Sequence, residues 1–294
     1  MYHARRVGPP LDTIAQAFEQ ALHASQTGRG RFEAPKSLQS WPGIVHGGCL
    51  VGLVDAAAIR LGRAPGPRRV DGRLTSSVPI ETALDLQIDR GADAVGFTIL
   101  QDGHTLTSGS VADLPAAPAT SRAWTGGDDG SPLPMSDYCL ACGTGNPLGL
   151  QVALSFDQEG VWARLTPRAP WRAGGGRLHP GLAPVLLDEV AWWLGALVMK
   201  EGGLTNRLAV SLHEPDAPFD GTLVASGRFA DVTPVDRKRT FWRTESTLST
   251  SSGTLIATAS IVFRGGADYS ERQMAYFKPR TPPEVFRRLF PNYS

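Results

Sequence analysis

One stretch occurs twice in this chain and constrains the fold more than any other feature. The first copy reads His46-Gly-Gly-Cys-Leu-Val-Gly-Leu-Val-Asp55. The second reads His179-Pro-Gly-Leu-Ala-Pro-Val-Leu-Leu-Asp188 and continues into Glu189. Each opens on a histidine, runs on as apolar residues and places an aspartate nine positions later. A Leu-Gly pair follows each acid, ending at Gly62 and at Gly195. Residues 48–61 are apolar on nearly every face, which predicts a helix enclosed by protein and not one lying on a surface. A carboxylate two turns inside such a helix is beyond the help of the helix dipole and is costly to bury unpaired. Two such helices in one chain predict a duplicated architecture.

The surroundings of the two helices keep step. Pro35 lies eleven residues before His46, and Pro167 lies twelve before His179. Trp41 and Trp171 fall in the loops between, and Pro79 and Pro215 follow the first strand beyond each helix. Short β-rich or alternating stretches predict strands at residues 31–35, 70–78, 82–90, 94–101 and 105–114, with a turn at Gln101-Asp102-Gly103. The second half predicts a hairpin over residues 149–157 and 161–166, then strands at 207–214, 221–232, 239–249 and 255–264. Leu11, Ile14, Ala15, Phe18, Ala21 and Leu22 recur at helical spacing, predicting a helix over residues 11–25 capped by Asp12 or Thr13 and packed on the domain that follows. The expected organisation is an N-terminal helical extension (1–30), a first repeat (31–114), a linker rich in Pro, Ala, Gly, Ser and Asp (115–135), a second repeat (136–266) and a C-terminal tail (267–294) holding a short helix at residues 283–289.

Composition removes several classes. A net charge of +1 with no basic run argues against nucleic acid. No apolar run reaches the roughly 18 residues of a membrane span, so a soluble, cytoplasmic protein is expected. Three cysteines are too few for a disulfide scaffold. Cys139-x-x-Cys142 invites a zinc reading, but a structural zinc wants four ligands and the chain holds no second cysteine pair, so no metal is expected. Gly174-Gly175-Gly176 lacks the Lys-Ser/Thr of a phosphate loop, and no cofactor motif is found.

An apolar helix opened by His-Gly-Gly, holding an Asp and followed by antiparallel strands, resembles the hotdog-fold thioesterase superfamily, in its phenylacetate-pathway and 4-hydroxybenzoyl-CoA thioesterase branch. The second half adds Cys139-Leu-Ala-Cys142-Gly-Thr-Gly-Asn-Pro-Leu-Gly-Leu150, Thr205-Asn-Arg-Leu-Ala-Val-Ser-Leu-His-Glu-Pro215 and Gly253-Thr-Leu-Ile-Ala-Thr-Ala-Ser-Ile-Val-Phe263, which are similar to that family's opening, its post-helix strand and its last strand. The resemblance implies an α+β double hotdog: two copies of an antiparallel sheet, each wrapped around a long central helix. It implies an acyl-CoA or acyl-carrier-protein thioester as substrate. The internal pseudo-dimer implies either a monomer or a homodimer of fused chains.

The resemblance places an oxyanion donor at the backbone N–H after the His. In the first half that residue is Gly47; in the second it is Pro180, which has no N–H. This asymmetry favours Asp55 with Gly47 as the hydrolytic set, Asp55 serving as general base or nucleophile. Asp188 is its counterpart, with Glu189 about 100° around the helix. His46, Gly48, His179, Gly181 and Glu189 are expected to line the sites. Two other readings remain open: a dehydratase, hydratase or related lyase, in which Asp188 or Glu189 meets His46 across the halves, and a non-catalytic acyl-thioester binder.

Overall fold

The computed structural model describes residues 11–22, 28–63, 66–91, 94–114, 124, 126, 127 and 129–294. The first half contributes helix α1 (Ile14–Ala21), strand β1 (Gly28–Phe32), the long helix α2 (Gly47–Arg60), and strands β2 (Arg68–Leu74), β3 (Leu84–Arg90), β4 (Ala94–Gln101) and β5 (His104–Asp113). The second half repeats the order with β6 (Gly160–Leu165), α3 (Leu182–Met199), β7 (Gly203–Leu212), β8 (Leu223–Arg228), β9 (Phe241–Thr250) and β10 (Leu255–Gly265), and ends in helices α4 (Ala267–Phe277) and α5 (Pro283–Leu289).

The strands form one antiparallel sheet in the order β1-β3-β4-β5-β2-β7-β10-β9-β8-β6, extended at its last edge by two short segments. Read inward from each edge, the halves are the same list. The pre-helix strand is outermost, and the post-helix strand meets its counterpart at the seam, where Val70 faces Val210. This is the double hotdog. Alternation directs each strand's apolar set inward: Leu84, Leu86 and Ile88 on β3, and Val95, Phe97 and Ile99 on β4, are buried while their neighbours are not. The helices come close to the sheet because Gly72 and Gly109 pair across β2 and β5. A Cβ at Gly72 would stand 2.6 Å from Val51, and one at Gly109 2.8 Å from Val54.

The two helices also touch each other, and antiparallel. A Cβ at Gly48 would reach 2.1 Å from the Pro184 carbonyl oxygen, whereas one at Gly52 would lie 3.3 Å from Gly181. As one chain number rises the other falls. The N-terminus of each helix therefore lies beside the middle of the other. Gly48→Ala is expected to destabilise the fold by about 2–3 kcal/mol, since a methyl group there must push two helix backbones apart; urea unfolding measures it.

Several expectations shift. Helix α1 is shorter than residues 11–25, with 23–27 outside the described residues; Thr13 caps it in a reciprocal pair with Gln16. Residues 149–154 are not strand: Leu150 and Val152 donate backbone bonds to Leu140 and Ala141, clamping the Cys139–Cys142 turn. The tail holds α4 as well as α5. Its buried face carries Ser270 and Gln273, which bond to the backbone of Gly202 and Gly203, so apolar periodicity is diluted. Most of the linker (115–123, 125 and 128) lies outside the described residues. Against the expectation of no such run, helix α3 has 18 residues and a mean hydropathy of 1.6, long and apolar enough to cross a membrane, but 83% of it is buried inside the protein.

Candidate active site

A cleft of about 230 Å³ opens where the start of α2 meets the middle of α3. His46 caps α2: its Nδ1 lies 3.1 Å from the Gly48 N–H nitrogen. The same N–H donates to Asp188 Oδ2 at 2.9 Å, so the carboxylate of the second helix sits on the N-terminus of the first. Thr205, on β7, donates its hydroxyl to Asp188 Oδ1 at 2.9 Å. Gly47 adjoins the acid closely enough that a Cβ there would lie 2.9 Å from Asp188 Oδ2. As a first-turn residue its N–H has no intrahelical acceptor. Trp41, Trp192 and Phe277 form an aromatic wall, with Trp41–Trp192 ring centroids 5.5 Å apart.

Burial pushes the Asp188 carboxyl above the usual carboxylate range, although His46, Thr205 and the Gly48 N–H pull the other way. For His46, burial works against the charge, but hydrogen bonds to Cys139 and Glu189 and the nearby Asp188 outweigh it, and the imidazole is held well above its ordinary pKa. Cys139 and Cys142 also line the cleft. A hydrogen bond from Cys142, opposed by burial and Glu189 and aided by His46, brings the Cys139 thiol down to about 6.

The mirror-related position is built differently. Asp55 is 2% exposed and receives both arms of the Arg68 guanidinium, at 2.5 and 2.8 Å. Pro180 stands where Gly47 stands in the first copy, and the next N–H, of Gly181, already donates to His179 Nδ1 at 3.2 Å. Phe18 of α1 packs edge-on against His179, ring centroids 5.3 Å apart, and a Cβ at Gly181 would lie 3.0 Å from its ring. Trp171, counterpart of Trp41, is fully buried there.

The structure thus brings Gly47, His46, Gly48, Asp188 and Glu189 together at one cleft, and gathers Asp55, His179 and Gly181 at the other helix start. It does not bring Gly47 to Asp55. Eight residues of one helix separate them, about 12 Å along the axis. Thr205 was missed, because a threonine in a β-rich run carries no signal beyond strand propensity.

Burial lowers the His179 pKa from 6.5 to about 4, against a smaller opposing effect of Asp55. A histidine depressed on folding is protonated first in the unfolded chain. Its contribution is whole above about pH 6.5 and lost as pH falls toward 4. A fall from 6.5 to about 4 corresponds to at most about 3.4 kcal/mol. Urea unfolding at pH 7 and pH 4.5 should show His179→Gln with a shallower acid loss than the parent; parallel losses would remove His179 as a source.

No protein-family model and no curated protein sequence matches this chain. Solved structures do. A hotdog-fold protein of unknown function from Alicyclobacillus acidocaldarius superposes with a TM-score of 0.57 at 14% identity, over 85% of this chain and 98% of its own. The acyl-CoA thioesterase II TesB2 of Mycobacterium marinum gives 0.56 at 14%, over 85% and 97%. The dehydratase domain of PpsC from Mycobacterium tuberculosis, solved with C12:1-CoA, gives 0.55 at 18%, over 81% and 93%. At these identities the likeness establishes the hotdog fold alone.

Proposed function

We propose that this chain hydrolyses an acyl thioester, of coenzyme A or of a carrier protein, at the composite cleft. The observation that carries the reading is the meeting of a buried carboxylate from one repeat with the open N-terminus of the helix from the other. Asp188 acts as general base toward a water, or as nucleophile. The Thr205 hydroxyl fixes the carboxylate. The Gly47 N–H, in a water-poor site at the positive end of α2, stabilises the oxyanion that forms when the thioester carbonyl is attacked. Trp41, Trp192 and Phe277 offer the acyl group an apolar face. Asp55, neutralised by Arg68 beside a helix start plugged by Phe18, serves the fold. Incubation with a panel of acyl-CoAs, following free thiol, tests the reading; no thiol from any member sinks it.

A second reading is favoured by one specific contact. His46 from the first repeat and Asp188 from the second lie 3.5 Å apart, a histidine and an acid facing one cleft from opposite halves. Such a pair suits removal of water from a β-hydroxyacyl thioester. Formation of the unsaturated thioester without thiol release would select it.

A further inference from the structure

Cys139 and Cys142, isolated in the sequence, acquire partners in the fold. His46 Nε2 lies 3.6 Å from Glu189 Oε2, and Cys139 Sγ lies 3.9 Å from the same oxygen. The His46, Cys139 and Glu189 ligand atoms all fall within 4.8 Å of one another. Cys142, three residues on along the same turn, lines the same cleft just outside that cluster. A tetrahedral zinc with bonds of about 2.3 Å to sulfur and 2.0 Å to nitrogen and oxygen has ligand–ligand edges of about 3.3–3.8 Å. The 3.6 and 3.9 Å separations exceed the matching edges by a few tenths of an ångström. We propose that Cys139, His46 and Glu189, joined by Cys142 from the same turn, form a binding site for a thiophilic divalent cation of the zinc class.

The donors come from three elements. The two cysteines sit on a turn, His46 at the cap of α2, and Glu189 on α3. The turn is held in place before any ion arrives. The Cys139 N–H donates to Ser136 Oγ, Gly143 N–H to the Cys139 carbonyl, and Leu140 N–H to Gln39 of the first repeat. Buried Asn146 donates to the Ser37 and Tyr138 carbonyls. The Ala141 N–H points at Cys139 Sγ at 3.4 Å, a donor suited to a thiolate ligand. Two thiols and a carboxylate packed together repel one another once ionised, and a dication removes that repulsion.

The surroundings of His46 fit as well. Binding through Nε2 leaves the proton of His46 on Nδ1, facing Asp188 Oδ2 at 3.5 Å, while the Gly48 N–H remains on that carboxylate at 2.9 Å. A carboxylate behind the metal-bound histidine fixes its tautomer and ring orientation. Loading releases the two thiol protons, and any proton on Nε2, to solvent. The ion, held by four protein donors, clasps the two repeats at the edge of the cleft. This site does not depend on the hydrolytic reading.

The test uses the full chain with any histidine tag removed. Elemental analysis should find about one zinc per chain. Loading the apoprotein with cobalt(II) should produce thiolate-to-cobalt charge-transfer absorption. Cys139→Ser/Cys142→Ser should bring zinc below a tenth of an equivalent and abolish that band. Glu189→Gln, which leaves both thiols in place, should weaken zinc binding tenfold or more. A folded protein that takes up no cobalt overturns the proposal. So does a Cys139–Cys142 disulfide in metal-free protein purified without reductant, or zinc retained in full by the double variant.

Discussion

Asp188→Asn is expected to lower kcat for thioester hydrolysis by about a hundredfold to ten-thousandfold, the range of a lost general base. The substitution is nearly isosteric. The amide oxygen can still accept from the Gly48 N–H, which now donates at 2.9 Å, so the start of α2 and the shape of the cleft should survive. What is lost is the ability to take a proton from water. Thr205→Val keeps the acid but frees its orientation. It should cost roughly tenfold to a hundredfold, the worth of a hydrogen bond to a charged group. Steady-state thiol release gives both numbers, and circular dichroism with a thermal melt separates chemistry from unfolding. Full turnover by Asp188→Asn, with loss of turnover in a folded Asp55→Asn protein, would move the chemistry to the start of α3 and sink the assignment.

That result would also decide what a sequence of this kind can disclose. The two helices were legible because an apolar run with an acid at a fixed distance from a histidine repeats. The prediction for α2 is within a residue of the observed Gly47–Arg60, and β4 matches at both ends. The contrast between Gly47 and Pro180 was legible too, since it depends only on which residue has an N–H. What did not follow was the partner of Gly47. An acid nine residues after a histidine looks like its neighbour on paper, but the helical rise carries it two turns away. Antiparallel docking of α2 on α3 then brings each helix start to the other helix's acid. That exchange depends on Gly48 and Gly52, whose missing side chains allow the contact, and such closeness has no periodic signature. Arg68 was hidden similarly. It stands beside Arg69 in an arginine-rich stretch, yet opens β2 with its guanidinium turned inward to Asp55. The residues proposed to complete the cysteine pair stand at two helices distant in the chain, out of reach of a spacing rule.

Asp55 and Arg68 supply the largest expected effect on stability. Both side chains are 3% exposed, and their double hydrogen bond gives each buried charge its counterion. Removing one partner strands the other. Asp55→Ala or Arg68→Met alone should therefore cost about 3–5 kcal/mol. Replacing both, as Asp55→Leu with Arg68→Met, removes the two desolvation penalties together, and the double variant should lie close to the parent or above it. A double-mutant cycle in urea reads the coupling directly, with an expected value of several kcal/mol. Turnover of the double variant should equal that of the parent, because the α3 start has lost its donor at Pro180 and its space to Phe18. Single variants that unfold no more easily than the parent would show that the pair is not a structural clasp. A double variant that folds well but cannot turn over substrate would show that Asp55 is used. In the expected outcome the duplicated chain keeps one working helix start and turns the acid of the other to holding the sheet against its helix.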